Sequence, residues 1–272
     1  MVKSKKTESN NEMERIKIKE ERLSELLRKC DAVPRDINIV WLDFTGSTNT
    51  DAKLFARDAV FDAVFVADRQ TAGRGRLGRS FSSDGGGLYM SLLFKRTLLP
   101  DEAMKITVYA AVCAARVIKR LTELDVKVKW VNDLFLGKKK LAGILCEGAC
   151  DEFGKITHAV LGIGINIFKP EDPEISDIAT SLSEHTDYLP SKEELAAAFI
   201  CEMYTQAERD FISVINEYRS LSLLDGRRVT VIKPAEQYSA RVLGIDDLGA
   251  LVIENEDGKK EYLATGEVSV RF

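Results

Sequence analysis

Apolar residues in the first half of the chain come in short solid runs separated by polar turns. Runs at 37–42, 63–67 and 88–94 predict buried strands, with a helical stretch near 49–59 between the first two. A long helix from about 101 to 121 follows, then β-like segments at 126–130 and 140–147 and a strand over 156–167. Ser191 with Glu194 three residues on forms a capping box, which opens a helix expected to continue to about 219. Past residue 224 the texture changes to short β runs at 226–233, 238–246, 250–255, 260–264 and 268–271. Turn signals such as Asp247-Leu248-Gly249 and Asp257-Gly258 divide them. About fifty residues of this kind predict a small closed β-barrel appended to an α/β (α+β) domain.

Three segments follow: a charged N-terminal extension over 1–36, partly disordered or helical, a main domain over 37–223 and a β-barrel over 224–272. Residues 1–30 carry nine basic and six acidic side chains. Ile16, Ile18, Leu23, Leu26 and Leu27 support a helix after about residue 12, and the first ten residues are expected to be disordered.

With 272 residues, 45% of them hydrophobic, the chain can bury a core for one medium domain and one small one. The net charge of −4 gives no general attraction to nucleic acid or an anionic membrane, so any anion binding must be local. The polar N-terminus lacks a secretion signal, no apolar stretch is long enough to span a bilayer, and the five cysteines are odd in number and scattered. This is the pattern of reduced thiols in a cytoplasmic protein. Cys146 and Cys150 lack the second pair that a zinc site would need.

Local anion binding has an obvious candidate. Gly73-Arg74-Gly75-Arg76-Leu77-Gly78-Arg79 sets three guanidinium groups on permissive backbone, suited to phosphate or carboxylate oxygens. The same letters satisfy the dinucleotide fingerprint G-x-G-x-x-G, but that motif needs a helix to open directly after it. Here Ser80 to Gly87 follows, with Ser82-Ser83-Asp84-Gly85-Gly86-Gly87 unable to begin a stable helix, so the dinucleotide reading fails.

Other clusters accompany the loop, each with a plainer alternative. Ser47-Thr48-Asn49 precedes a helix and can serve either as its cap or as ligand contacts. Asn132-Asp133 can be only a turn, and Lys138 to Lys140 only a solvated charge run. Gly162-Ile163-Gly164-Ile165-Asn166 puts small residues in a strand, where a ligand can lie against the backbone. His158 and His185 stand beside none of these motifs.

In their order and wording the clusters resemble the biotin–protein ligases over about residues 37–272. The matches are Ser47-Thr48-Asn49, the run from Gln70 through Arg79, Gly87-Leu88-Tyr89-Met90-Ser91, Lys129-Trp130 with Asn132-Asp133, Lys140-Leu141-Ala142-Gly143-Ile144-Leu145 with Glu147, and the Gly162–Asn166 motif. The resemblance implies a mixed-sheet catalytic domain related to class II aminoacyl-tRNA synthetases, followed by a small SH3-like β-barrel. It also implies formation of biotinyl-5′-AMP from biotin and ATP with Mg²⁺, then transfer to one lysine of a biotin carboxyl carrier domain.

By that resemblance Lys140, Arg74 and Arg76 are catalytic. Biotin is contacted by Ser47, Thr48, Asn49, Gln70, Gly73, Arg74, Gly75, Arg76, Lys140, Gly143, Gly162 and Gly164. The adenylate is contacted by Arg76, Arg79, Asn132, Lys140 and Asn166. Asp133 is either an orienter of Lys140 or of the acceptor amine, or a turn residue. The glycine-rich setting further predicts a loop over 73–87 that orders over the ligands.

Two positions depart from the commoner family pattern: Phe81 where Trp is usual, which offers less area to pack over a biotin ring and so implies weaker affinity, and Val131 where Pro is usual. The roughly thirty-six residues before the main domain are too few for the DNA-binding winged helix of some members, so no DNA binding is expected. Monomers and homodimers are both compatible with the resemblance. The rival enzyme is a lipoate–protein ligase, which shares the chemistry but not the arginine loop. A non-catalytic nucleic-acid binder is opposed by the net charge and by the lack of interleaved aromatics.

Overall fold

In the computed structural model the described residues are 2–96, 102–153, 155–233, 236–264 and 266–270, with 2–11, 103 and 267 described for the backbone alone. A seven-stranded mixed sheet has the order β1-β2-β3-β7-β6-β5-β4. Its strands are β1 (Asn38–Thr45), β2 (Ala63–Gln70), β3 (Gly87–Phe94), β4 (Lys127–Lys129), β5 (Asp133–Leu136), β6 (Lys139–Cys150) and β7 (Ile156–Asn166). Only β1 and β2 pair in parallel, joined through helix α2 (Thr48–Phe55), and the other pairs are antiparallel.

The two faces of this sheet differ. Leu88, Met90 and Leu92 of β3, with Leu161, Ile163 and Ile165 of β7, enter the main core beneath helices α3 (Glu102–Thr122) and α4 (Lys192–Gln206). Each such fully buried side chain contributes roughly 1.5–3 kcal/mol. The alternate residues look the other way. Leu93, Val160 and Phe65 pack with Ala52 of α2 and Ala56 at its C-cap in a second, smaller cluster. By the two-residue period Ser91, Gly162 and Gly164 share that second face, and it carries the site.

Several expectations change. Helix α1 (Val2–Leu27) begins at Val2, where disorder was expected for the first ten residues, and no Gly or Pro interrupts the chain before Pro34. Its second half is no free extension, because Leu23 and Leu27 are buried in the main core and Glu20 accepts the backbone N–H of Trp41 at 2.8 Å. The helix expected to run to about 219 is two helices, α4 and α5 (Phe211–Ser220). Asp210 starts the second by accepting the N–H of Ser213 at 2.9 Å. Strand β5 begins at Asp133, where the sequence offered either ligand contacts or a turn and no strand. The Ser191 capping box is present at the start of α4.

After residue 224 come β8 (Arg228–Ile232), β9 (Gln237–Ile245), β10 (Leu251–Asn255), β11 (Lys260–Leu263) and β12 (Glu267–Ser269), in one antiparallel sheet of order β11-β10-β9-β8-β12. Arg271 of the expected last strand and Asp101 of the expected long helix lie outside the described residues. This unit is tied to the first. Trp130 donates its indole N–H to Gly249 O at 2.9 Å, and Arg219 donates to Ile245 O at 2.7 Å.

Candidate active site

Strand β1 ends at the turn into α2, and this turn places Ser47, Thr48 and Asn49 on the second face of the sheet. Ser47 occupies the N-cap position but makes no capping hydrogen bond with its side chain. The cap comes from elsewhere. Gln70 Oε1, at the end of the neighbouring strand, accepts the Thr48 N–H at 2.9 Å, while Gln70 Nε2 donates to Ser83 Oγ at 2.9 Å. The Ser47 hydroxyl, buried and lining the cavity, is thereby released from the role that its position suggests.

Asn49 is held from three sides. Its Nδ2 donates to Glu147 Oε2 at 2.9 Å, and Ser91 Oγ lies 2.6 Å from its Oδ1 and 2.7 Å from Thr48 Oγ1. The third side is Gly162, where a Cβ would stand 2.1 Å from Asn49 Oδ1. Gly164 and Gly143 form an adjoining seat for the Phe81 ring, and a Cβ on Gly164 would lie 2.4 Å from that ring. Phe81 also sits edge-on to Tyr89 at 6.4 Å and under the Lys140 ammonium at 5.7 Å.

The arginine loop closes on itself as a tight hairpin. Gly75 N donates to Arg79 O at 2.8 Å and Phe81 N to Gly73 O at 2.9 Å, with Leu77 (φ 54°) and Gly78 (φ 75°) at its tip. Arg76 reaches from it to Asn132 Oδ1 at 3.2 Å and to Gly266 O at 3.0 Å, joining the loop to both units. Arg74 approaches Glu147 at 3.6 Å. Lys140 Nζ lies 2.7 Å from Asp133 Oδ1, and Asn132 Nδ2 donates to Ile144 O at 2.8 Å. The Trp130–Val131 peptide is cis, and Tyr218 donates its hydroxyl to Val131 O at 2.9 Å.

One cavity is thus lined by Ser47, Thr48, Asn49, Gln70, Arg74, Gly75, Arg76, Arg79, Asn132, Lys140, Gly143, Gly162 and Gly164 together. Two expected residues are not in its wall. Gly73 is packed from behind, where a Cβ would stand 2.4 Å from Phe81 O, and buried Asn166 turns its amide to Thr180 O at 2.9 Å. His158 and His185 do not line the cavity either; they lie beside Thr157 and Thr180.

Sequence reading missed Ser83 and the Gly266 carbonyl as parts of the site, and quoted Ser91 and Glu147 within the matching motifs without giving either a role. Only the strand period, which puts Ser91 and Gly162 on one face, offered a signal. Burial pushes the Glu147 carboxyl upward, but hydrogen bonds from Asn49 and Lys53 and the charges of Lys53 and Arg74 outweigh it, so its pKa lies below the ordinary value.

The cavity therefore joins a cationic side, with Arg74, Arg76, Arg79 and Lys140, to a neutral polar side against a glycine floor. Residues 41–166 match the biotin/lipoate A/B protein ligase family, and residues 226–271 match the biotin protein ligase C-terminal domain. The bifunctional ligase/repressor BirA of Bacillus spizizenii is 31% identical over 248 residues, a match covering 85% of this chain and 74% of its own length. The chain belongs to the biotin protein ligase family. The biotin–[acetyl-CoA-carboxylase] ligase of Mycobacterium tuberculosis is 30% identical, covering 82% of this chain and 85% of the relative. Among solved structures, biotin protein ligase from Aquifex aeolicus in complex with biotin and ATP superposes with a TM-score of 0.71 at 28% identity, covering 86% of this chain and 98% of that one. The family's mixed sheet and C-terminal β unit are both present here.

Proposed function

We propose that this chain is an ATP-dependent biotin–protein ligase, which converts biotin and ATP to biotinyl-5′-AMP and pyrophosphate and then biotinylates a lysine of a biotin carboxyl carrier domain. The observation that carries this reading is the meeting of five cationic side chains, Lys129 with Arg74, Arg76, Arg79 and Lys140, with a neutral hydrogen-bonding wall in one cavity. A carboxylate and an α-phosphate repel each other, and cations fixed in advance cancel that repulsion as the bond forms.

Lys140, aimed by Asp133, is assigned to the carboxylate and α-phosphate oxygens and to the charge of the pentacoordinate transition state. Arg74 and Arg76 hold the acyl-phosphate region, and Arg79 and Asn132 the nucleotide side. Ser47, Thr48, Asn49 and Gln70 read the ureido group and adjacent chain of biotin, and Gly143, Gly162 and Gly164 leave room for its rings. Mg²⁺ would come with the triphosphate and neutralise part of its charge. Among the described residues Asp133 is the single carboxylate lining the cavity, and it is already paired with Lys140, a donor set suited to an ion held mainly by phosphate oxygens and water.

In the second step the neutral acceptor amine attacks the biotinyl carbonyl, the anhydride C–O bond breaks and AMP departs with the bonding pair. The match of the C-terminal unit to the biotin protein ligase domain favours biotin over lipoate as the acyl group. Among the described residues no helix is long and apolar enough to cross a membrane. ATP–pyrophosphate exchange that requires biotin tests the first step, and exchange supported by lipoate but not biotin overturns it.

A further inference from the structure

Glu147 stands behind the cavity wall rather than in it, yet its carboxylate meets two different parts of the site. It projects from β6 in register with Val160, two residues beyond the Leu145–Gly162 pair, and so shares the face of the sheet that packs on α2. One oxygen, Oε2, accepts Asn49 Nδ2 at 2.9 Å. The other, Oε1, takes Lys53 Nζ at 2.9 Å and lies 3.6 Å from an Arg74 guanidinium nitrogen.

An ionised carboxylate only accepts, whereas an amide has one end of each kind. A carboxylate at 2.9 Å therefore dictates which end of Asn49 faces it. The NH₂ must turn toward Glu147, and the carbonyl toward Ser91 and the space above Gly162. Without this carboxylate the nearest other acceptor for Nδ2 is Leu145 O at 3.5 Å, too long to hold the amide. Lys53 and Arg74 would also face each other without the charge between them. The depressed pKa of Glu147 keeps the group ionised at neutral pH.

We propose that Glu147 is a positioning residue of the site: one oxygen fixes the amide orientation of Asn49 in the biotin wall, and the other tethers Arg74 of the loop. A single side chain thereby joins biotin recognition to the position of the arginine loop. This inference rests on the ligase reading.

The test uses the full chain with biotin-dependent ATP–pyrophosphate exchange. Glu147→Gln has nearly the same shape, but its amide can present either end to Asn49. The expected result is a biotin KM raised about tenfold, as for loss of a hydrogen bond to a charged group, with the KM for ATP little changed. In an Asn49→Ala background, Glu147→Gln should then add well under tenfold to the biotin KM, because the amide orientation it sets no longer exists and only the 3.6 Å contact with Arg74 is left to lose. Lys53→Met, which leaves Asn49 and Arg74 on the carboxylate, should keep a biotin KM near that of the parent. A merely structural role predicts a lower melting temperature with an unmoved biotin KM, and that result overturns the proposal. So does full additivity with Asn49→Ala. If Glu147→Gln fails to melt cooperatively, Glu147→Asp carries the same measurements, since its shorter stem withdraws the carboxylate from Asn49. Absence of biotin-dependent exchange in the parent protein would instead bring down the ligase reading.

Discussion

Lys140 and Asp133 form an ion pair of 2.7 Å across the hairpin of β5 and β6, with the ammonium on the cavity side. A long flexible lysine is given one direction by this carboxylate, so its charge is in place before substrates arrive. Lys140→Met should lower kcat for biotin-dependent exchange by about 10²-fold or more, as loss of a preorganised charge does. Asp133→Asn should cost less, about tenfold, because the ammonium remains but is no longer aimed. Equal losses in the two variants would show that Asp133 does more than orient.

Gly162 gives a steric prediction. A methyl group there would occupy the place of Asn49 Oδ1, 2.1 Å away, and the amide is already held by Ser91 and Glu147. Gly162→Ala should weaken biotin binding by about tenfold or more in calorimetry and destabilise the fold by about 1–3 kcal/mol, the usual cost of overpacking. Unchanged biotin affinity would place the ligand away from this strand.

Arg76 links the loop to Asn132 and, across the junction between the two units, to the Gly266 carbonyl. Arg76→Ala should speed proteolytic cleavage within residues 73–87 severalfold in the absence of ligands, on the scale of opening lost to one or two hydrogen bonds. Biotin with ATP should protect the parent loop. A parent loop equally sensitive with and without ligands would remove the lid from the account.

The acid side of the stability profile should depend on Glu217. Hydrogen bonding from Arg116 is the main cause of its depressed pKa, with Arg116 Nε at 2.5 Å from one carboxylate oxygen and Nη2 at 2.6 Å from the other, and Arg209 adding a third bond at 3.1 Å. A depressed carboxylate contributes stability that is fully present above its unfolded value, near 4.5, and is lost as pH falls through the lower folded value. Glu217→Gln should therefore melt lower than the parent at neutral pH, by about 1 kcal/mol after solvent screening, with the gap closing in strong acid. A gap that persists unchanged in strong acid would contradict this.

Much of the site was legible because its residues lie in compact runs. The glycine–arginine loop, the Lys140 segment and the Gly162–Asn166 strand each carry several cavity residues within a few positions. What escaped depends on partners far along the chain. Glu147 meets Asn49 from 98 residues away, and the Gly266 carbonyl meets Arg76 from 190. Asn166 ends a strand whose earlier glycines line the cavity, but Thr180 captures its amide. Among the elements, β5 was too short and too close to Asn132 to separate from a turn, and the break between α4 and α5 depends on one capping aspartate. Phe81, noted for departing from the common Trp, rests on Gly164 and Gly143, where a larger ring would need more of the same glycine floor.

The central claim is that this cavity makes biotinyl-5′-AMP and passes the acyl group to a carrier lysine. Intact-mass spectrometry of a biotin carboxyl carrier domain, after incubation with the full chain, biotin and Mg-ATP, tests it most directly. The account predicts a gain of one biotinyl group with the parent protein and none above background in the same time with Lys140→Met. An unchanged carrier mass with the parent, or full modification by Lys140→Met, would contradict it.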